Sequence, residues 1–202
     1  IEDKWYFDVH DARIGRYLLA VTRLTAVPQG LGKFSGEEVN ENTLYFEKRD
    51  DNTLLLRAYV LSQFAGDDTN ISKTLKASTT DPIVASFKII GKNKDKHMNL
   101  IEVTSLFLKD NDIVSIPKNN SRTYGVGGLQ SDRTFIDTMK VFPINVEIAS
   151  TRTYSAATSG GSESGSDGTP GRKTFTPASF TGSVTIGLNT SIVLLPKEPM
   201  RK

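Results

Sequence analysis

The sequence predicts a mainly β fold, an antiparallel β-sandwich or barrel-like domain with a few short helices, on two observations. The first is the stretch 180–195. Its even positions read Phe180, Gly182, Val184, Ile186, Leu188, Thr190, Ile192 and Leu194, with Thr181, Ser183, Thr185, Gly187, Asn189 and Ser191 between them. Such alternation separates an apolar from a polar face only on an extended chain, where side chains swap faces at every residue. The second is that several earlier segments share this period-two pattern, with hairpin-type turns between them. The 180–195 strand is the element on which the others are expected to pack, and Asn189-Thr190-Ser191 is where it would bend or divide.

Residues 5–9 form a short aromatic strand with Trp5, Phe7 and Val9 on one face. Residues 17–27 follow, stopped by Pro28, and 29–36 is a loop with glycines at 30, 32 and 36. Residues 43–49 and 53–64 flank Asp50-Asp51-Asn52, a polar trio suited to a hairpin turn. In the second arm Leu54, Leu56, Ala58 and Val60 share one face while Leu55, Tyr59 and Leu61 take the other, so this strand should be covered on both sides. Asn70 caps a short helix through Ile71 and Leu75. Pro82 opens a strand over 83–90, a lysine-rich turn occupies 91–97, and 100–103 returns as the second hairpin arm.

Residues 104–110 supply one or two helical turns, and 119–130 reads as loop with Gly125, Gly127 and Gly128. Residues 135–141 stay open: Phe135 and Met139 suit a helix, the β-branched neighbours a strand. Pro143 separates them from a strand over 145–154 with Val146 and Ile148 on one face. Residues 158–171 are Ser/Gly-rich and lack the apolar surface to fold alone. They are expected to form a flexible loop joining two antiparallel strands of a single domain spanning 1–202.

With 202 residues and no cysteine, the chain can bury a sizeable core without staples, and disulfides and thiolate metal sites are excluded. Lys+Arg 25 against Asp+Glu 23 leaves +2, too balanced for an electrostatic footprint on nucleic acid or anionic lipid. No apolar run approaches the roughly 20 residues of a transmembrane helix. The chain opens on Ile1 with neither an initiator Met nor a signal-peptide pattern, which suggests a piece of a longer protein.

No constellation for catalysis emerges. His10 and His97 stand far apart in sequence beside charged residues, without the His-Glu-x-x-His spacing of zinc proteases, and read as solvated loop histidines. Gly125-Val126-Gly127-Gly128 lacks the Lys-Ser/Thr of a phosphate loop and reads as a turn. Asp67-Asp68 and Asp110-Asn111-Asp112 lack the alternating oxygen ligands and closing Glu of a calcium loop. Asp132 and Asp137 have no spacing that pairs them for acid–base work, and the lysines at 88, 92, 94 and 96 form a soluble turn without interleaved aromatics. No catalytic, cofactor or metal residue is assigned.

Several stretches in order carry a family resemblance. They are Asp3-Lys4-Trp5-Tyr6-Phe7, Gly15-Arg16 with Leu18-Leu19, Asp81-Pro82-Ile83, Ile101-Glu102-Val103-Thr104 with Leu106-Phe107, Asp132-Arg133 with Phe135-Ile136, Asn145-Val146-Glu147, and Val193-Leu194-Leu195-Pro196 with Pro199-Met200. Together they resemble the N-terminal accessory domain that precedes the met-zincin catalytic domain in a family of large bacterial zinc-dependent metalloproteases. The resemblance implies an exported Gram-negative protein, periplasmic or attached at the outer membrane and cell surface. It places zinc and its His-Glu-x-x-His ligands downstream of Lys202, leaves no cofactor in residues 1–202, and gives the domain its own chain's catalytic domain, or other cell-envelope proteins, as partners. In that setting Asp137-Thr138-Met139 fits a bacterial O-glycosylation pattern, with Thr138 as acceptor.

Two function classes follow. One is a non-catalytic accessory domain that docks on or positions a catalytic domain; a contiguous exposed apolar patch favours it. The other is a cell-surface binding module for glycan or protein, favoured by exposed aromatics such as Tyr124, Tyr154 or Phe175. A free-standing enzyme has no site to support it.

Overall fold

A computed structural model describes residues 4–60, 79–93, 95, 97–157 and 180–197. The described residues are mainly antiparallel β with a few short helices, as the periodicity predicts. The strands are β1 (Tyr6–His10), β2 (Leu18–Ala26), β3 (Glu38–Asp50), β4 (Thr53–Ala58), β5 (Ile83–Asn93), β6 (Met98–Glu102), β7 (Val126–Leu129), β8 (Phe135–Val141), β9 (Asn145–Ala156) and β10 (Ser183–Leu194). Helix α1 spans Thr104–Leu108, and single 3-10 turns occupy Asp11–Arg13, Lys118–Asn120 and Ser131–Arg133. The expected helix at Asn70–Leu75 and the Ser/Gly-rich loop at 158–171 lie outside the described residues. The chain divides into two compact units, the first built from Ile1–Ala20, Asn42–Ser105 and Val193–Lys202, the second from Val21–Glu41 and Leu106–Ile192. Strands β2, β3 and β10 pass from one unit into the other.

In the first unit the strand order is β1-β6-β5-β4-β3. The β3–β4 hairpin turns where the polar trio predicts, with the Asp50 carboxylate accepting from the Asn52 N–H at 2.8 Å. Its register sets Leu44 opposite Ala58 and Phe46 opposite Leu56. Leu54, Leu55 and Leu56 are all buried, so β4 is covered on both faces. It ends at Ala58, sooner than its apolar run suggests, and Tyr59 and Val60 are exposed. Strand β5 runs past Gly91 to Asn93, because Lys92 and Asn93 still pair with Asn99 and Met98. Phe46 and Phe87 pack with ring centroids 6.5 Å apart.

In the second unit the order is β2-β10-β9-β7, with β8 also paired to β9. Leu24, Val39, Ile116, Tyr124, Val126, Tyr154, Val184, Ile186 and Leu188 form its core. Val184, Ile186, Leu188, Thr190 and Ile192 are buried along β10, as alternation requires. At roughly 2 kcal/mol per large aliphatic side chain, the three central residues alone stabilise this strand by several kcal/mol. Two expectations are corrected. The inner face starts at Val184, because Gly182 at φ +66 turns the chain and leaves Phe180 exposed. The Asn189-Thr190-Ser191 cluster does not divide the strand: the Thr190 hydroxyl bonds that of Thr22 at 2.9 Å, satisfying both buried groups. Gly187 is required by packing, since a Cβ there would lie 2.5 Å from Thr25 Oγ1 and 3.0 Å from the Ala26 nitrogen.

Arg152, on the inner face of β9, is buried yet faces no carboxylate in direct contact. Its guanidinium donates to the carbonyls of Phe107 at 2.5 Å, Lys109 at 3.3 Å and Val114 at 3.5 Å. Two of these lie at the C-terminal end of α1, where the helix dipole and unpaired carbonyls favour a cation. Burial pushes the guanidinium below its ordinary pKa, while Tyr154 and Asp110 act the other way. Arg152 thus fastens α1 and the following loop to the sheet.

Candidate interaction surface

Strand β8 settles the open reading of 135–141: it is strand, paired antiparallel to β9 with Met139 opposite Ile148 and Val141 opposite Val146. Among the described residues it pairs with β9 alone. A bulge between Ile136 and Thr138, with Asp137 and Lys140 exposed, protects its first half from casual edge pairing. Beyond Lys140 that protection stops. The hairpin closes through the Phe142 N–H donating to the Asn145 carbonyl at 2.8 Å, with Pro143 and Ile144 as its two-residue tip.

Turns of this kind usually carry Gly, Asn or Asp. Here Pro143-Ile144 takes the tip between Phe142 and Asn145, and with the last residue of β8 the run reads Val141-Phe142-Pro143-Ile144, with Val141 76 %, Phe142 48 % and Ile144 65 % exposed. Phe135, at the other end of β8, is also exposed. A run of consecutive exposed apolar side chains breaks the local rule without stabilising the unit, and such breaks mark interaction sites. The hydrophobic run around Pro143 was the available sequence signal. It was missed because a prolyl turn between two strands is unexceptional until its neighbours prove solvent-exposed.

Base-plane polar groups adjoin the hairpin. The Glu147 carboxylate accepts from Asn145 Nδ2, Asn189 Nδ2 and Ser191 Oγ, each at 2.6 Å. This fixes the root of the hairpin against β10. Thr138 is an exposed residue of β8, and the neighbouring Asp137 accepts from Thr151 Oγ1 at 2.9 Å.

The other candidates resolve one by one. His10 and His97, far apart in sequence, are brought together by the β1–β6 pairing with ring centroids 6.2 Å apart, and His10 closes β1 where a loop histidine was expected. His10 Nδ1 accepts from the Ala12 N–H, and His97 lies 3.8 Å from the Asp11 carboxylate. Among the described residues no three His, Asp or Glu side chains converge as a metal site. In the 110–112 trio, Asn111 Oδ1 accepts from the Ile113 and Val114 N–H groups. Asp110 and Asp112 accept from Ser115 Oγ and the Lys118 N–H. These side chains shape a loop.

Gly125-Val126-Gly127-Gly128 belongs in part to β7, not wholly to a loop, and at Gly127 a Cβ would lie 2.5 Å from the Ser155 side-chain hydroxyl. Asp132 lies beside Arg133 at 3.8 Å, engaged separately from Asp137. Lys92 reaches the Asp51 carbonyl; Lys94, Lys96, Asp67 and Asp68 lie outside the described residues. Tyr124 and Tyr154 are not an exposed aromatic face: both are buried in the second unit, Tyr154 because it alternates with Arg152 on the inner side of β9. Phe175 lies outside the described residues. No helix among the described residues is long and apolar enough to cross a membrane.

A family model described as a domain of unknown function (DUF5117) matches residues 36–202. No curated protein and no solved structure matches the chain.

Proposed function

The chain belongs to the DUF5117 family, and we propose, from the resemblance carried by its sequence, that it is a non-catalytic accessory domain of an exported bacterial zinc-dependent metalloprotease, which docks on or positions a catalytic domain downstream. The observation that carries this reading is the exposed apolar hairpin tip, Val141, Phe142 and Ile144. These three side chains offer on the order of 300 Å2, well under half of the roughly 800 Å2 per partner that a stable free association buries. A surface of that size suits a tethered partner, whose effective concentration reaches about the millimolar range on a short linker. The proposed setting is the periplasm or the cell surface, with zinc held by the catalytic domain and Thr138 as an O-glycan acceptor.

The test is to assay residues 1–202 and a chain that continues through the catalytic domain side by side, for metal content after chelator washing and for casein cleavage. Zinc and cleavage should follow the longer chain only. Tight one-to-one zinc on residues 1–202, or sustained cleavage by them, overturns the proposal.

A further inference from the structure

The first unit presents a second kind of surface. Tyr45 on β3 pairs opposite Arg57 on β4, which places both on one face of the hairpin. Tyr17 meets Tyr45 edge-on, centroids 5.9 Å apart at 86°, and Tyr59 lies 4.8 Å from Tyr17 at 44°. Tyr45 is held in place: its hydroxyl donates to Asp81 Oδ2 at 3.0 Å, and Asp81 Oδ1 accepts from the Val60 N–H at 3.2 Å. Arg57 donates to the Asp81 carbonyl at 2.6 Å and is ion-paired with Glu47. Against this fixed base the rings of Tyr17 and Tyr59 remain 43 % and 37 % exposed.

We propose that Tyr17 and Tyr59, seated on Tyr45 and rimmed by Arg57 and Glu47, form a binding platform for a neutral oligosaccharide. Aromatic faces attract the C–H face of a pyranose, and the half-exposed Glu47 carboxylate beside them offers acceptor oxygens to sugar hydroxyls. Charge selects the ligand class. Arg57 is already ion-paired with Glu47, and the Asp81 carboxylate is turned to the Tyr45 hydroxyl and the Val60 N–H, so no unpaired cation is left to attract an anionic partner. Size selects it too. Two half-exposed rings present far less than the roughly 800 Å2 a protein partner covers, but about the area of one or two sugar rings. This site is independent of the hairpin tip and adds a recognition function to the docking reading.

The experiment uses the intact protein with β-1,4-linked hexaoses of glucose, mannose and N-acetylglucosamine, followed by saturation-transfer NMR and calorimetry. At least one hexaose should bind, with contacts to tyrosine ring protons. Tyr17→Ala and Tyr59→Ala should each weaken it about tenfold or more, while Tyr59→Phe stays within about threefold. Each alanine variant loses a ring contact and should melt somewhat below the parent but still cooperatively, so binding measured well below that melt separates lost binding from lost fold. The proposal is overturned if no hexaose gives transfer at about 10 mM, if both alanine variants bind as the parent does, or if only an anionic polysaccharide such as polygalacturonate binds.

Discussion

Replacing Arg152 by methionine tests how the second unit holds its long loop. The substitution keeps the length and apolar stem of the side chain and removes the charge and five donors. The carbonyls of Phe107, Lys109 and Val114 then lose a partner. Swapping a whole buried ion pair for apolar residues can be neutral, because both polar partners leave together. Here the acceptors are backbone and stay, so the penalty of unpaired buried groups dominates. Lys109 is exposed and its carbonyl can turn to water, so the loss falls on the carbonyls of buried Phe107 and Val114 and is expected at about 2–3 kcal/mol, still a sizeable part of the roughly 5–15 kcal/mol that a domain possesses. Arg152→Lys should fall between, since one ammonium on a flexible stem reaches fewer carbonyls than a planar fork. Urea unfolding followed by far-UV circular dichroism reads the difference. A Met variant within about 1 kcal/mol of the parent would show that the loop is held by other contacts.

Ile186→Asp puts a carboxylate on the buried face of β10, where Ile186 has no solvent exposure. The melting temperature should drop by the equivalent of several kcal/mol, and an unchanged melt would place that face in solvent. The Tyr45 hydroxyl, partly desolvated and bonded to Asp81, has its pKa pushed up to about 12. A raised tyrosine pKa favours the neutral form in the fold. Its contribution is therefore complete below about pH 10, the ordinary tyrosine value, and is lost as pH rises toward 12. Burial also raises Tyr17 and Tyr154, so absorbance at the phenolate band should show several late-titrating tyrosines, and Tyr45→Phe should lower the amplitude near pH 12. Cleaving the chain between β9 and β10 should leave both pieces together on gel filtration, because β10 lies between β2 and β9 in the sheet. Separate elution of the C-terminal piece would contradict a single domain.

Much of the fold was legible because burial follows period-two alternation wherever one sheet face is covered. Val184, Ile186 and Leu188 on β10, and Leu54, Leu55 and Leu56 on β4, follow directly from that rule. What escaped was set by long-range pairing. Val126–Leu129 has two glycines and little propensity for strand, yet β9 recruits it through Val126 opposite Ala156. His10 and His97 meet only because β1 pairs with β6. Tyr124 and Tyr154 look like surface aromatics in isolation, but Tyr154 lies on β9 and both belong to the core that Val184 and Ile186 help build. The hairpin tip was illegible for a related reason: apolar residues are expected inside, and only the structure shows four of them outside in a row.

Amide hydrogen exchange at Val141, Phe142 and Ile144 tests the docking account most directly, comparing residues 1–202 alone with a chain that carries the downstream catalytic domain. The account predicts exchange slower by at least about tenfold in the longer chain, and its loss when Val141→Asp and Ile144→Asp are combined. Equal exchange in the two chains would contradict it, because the apolar tip would then remain in water with its proposed partner attached.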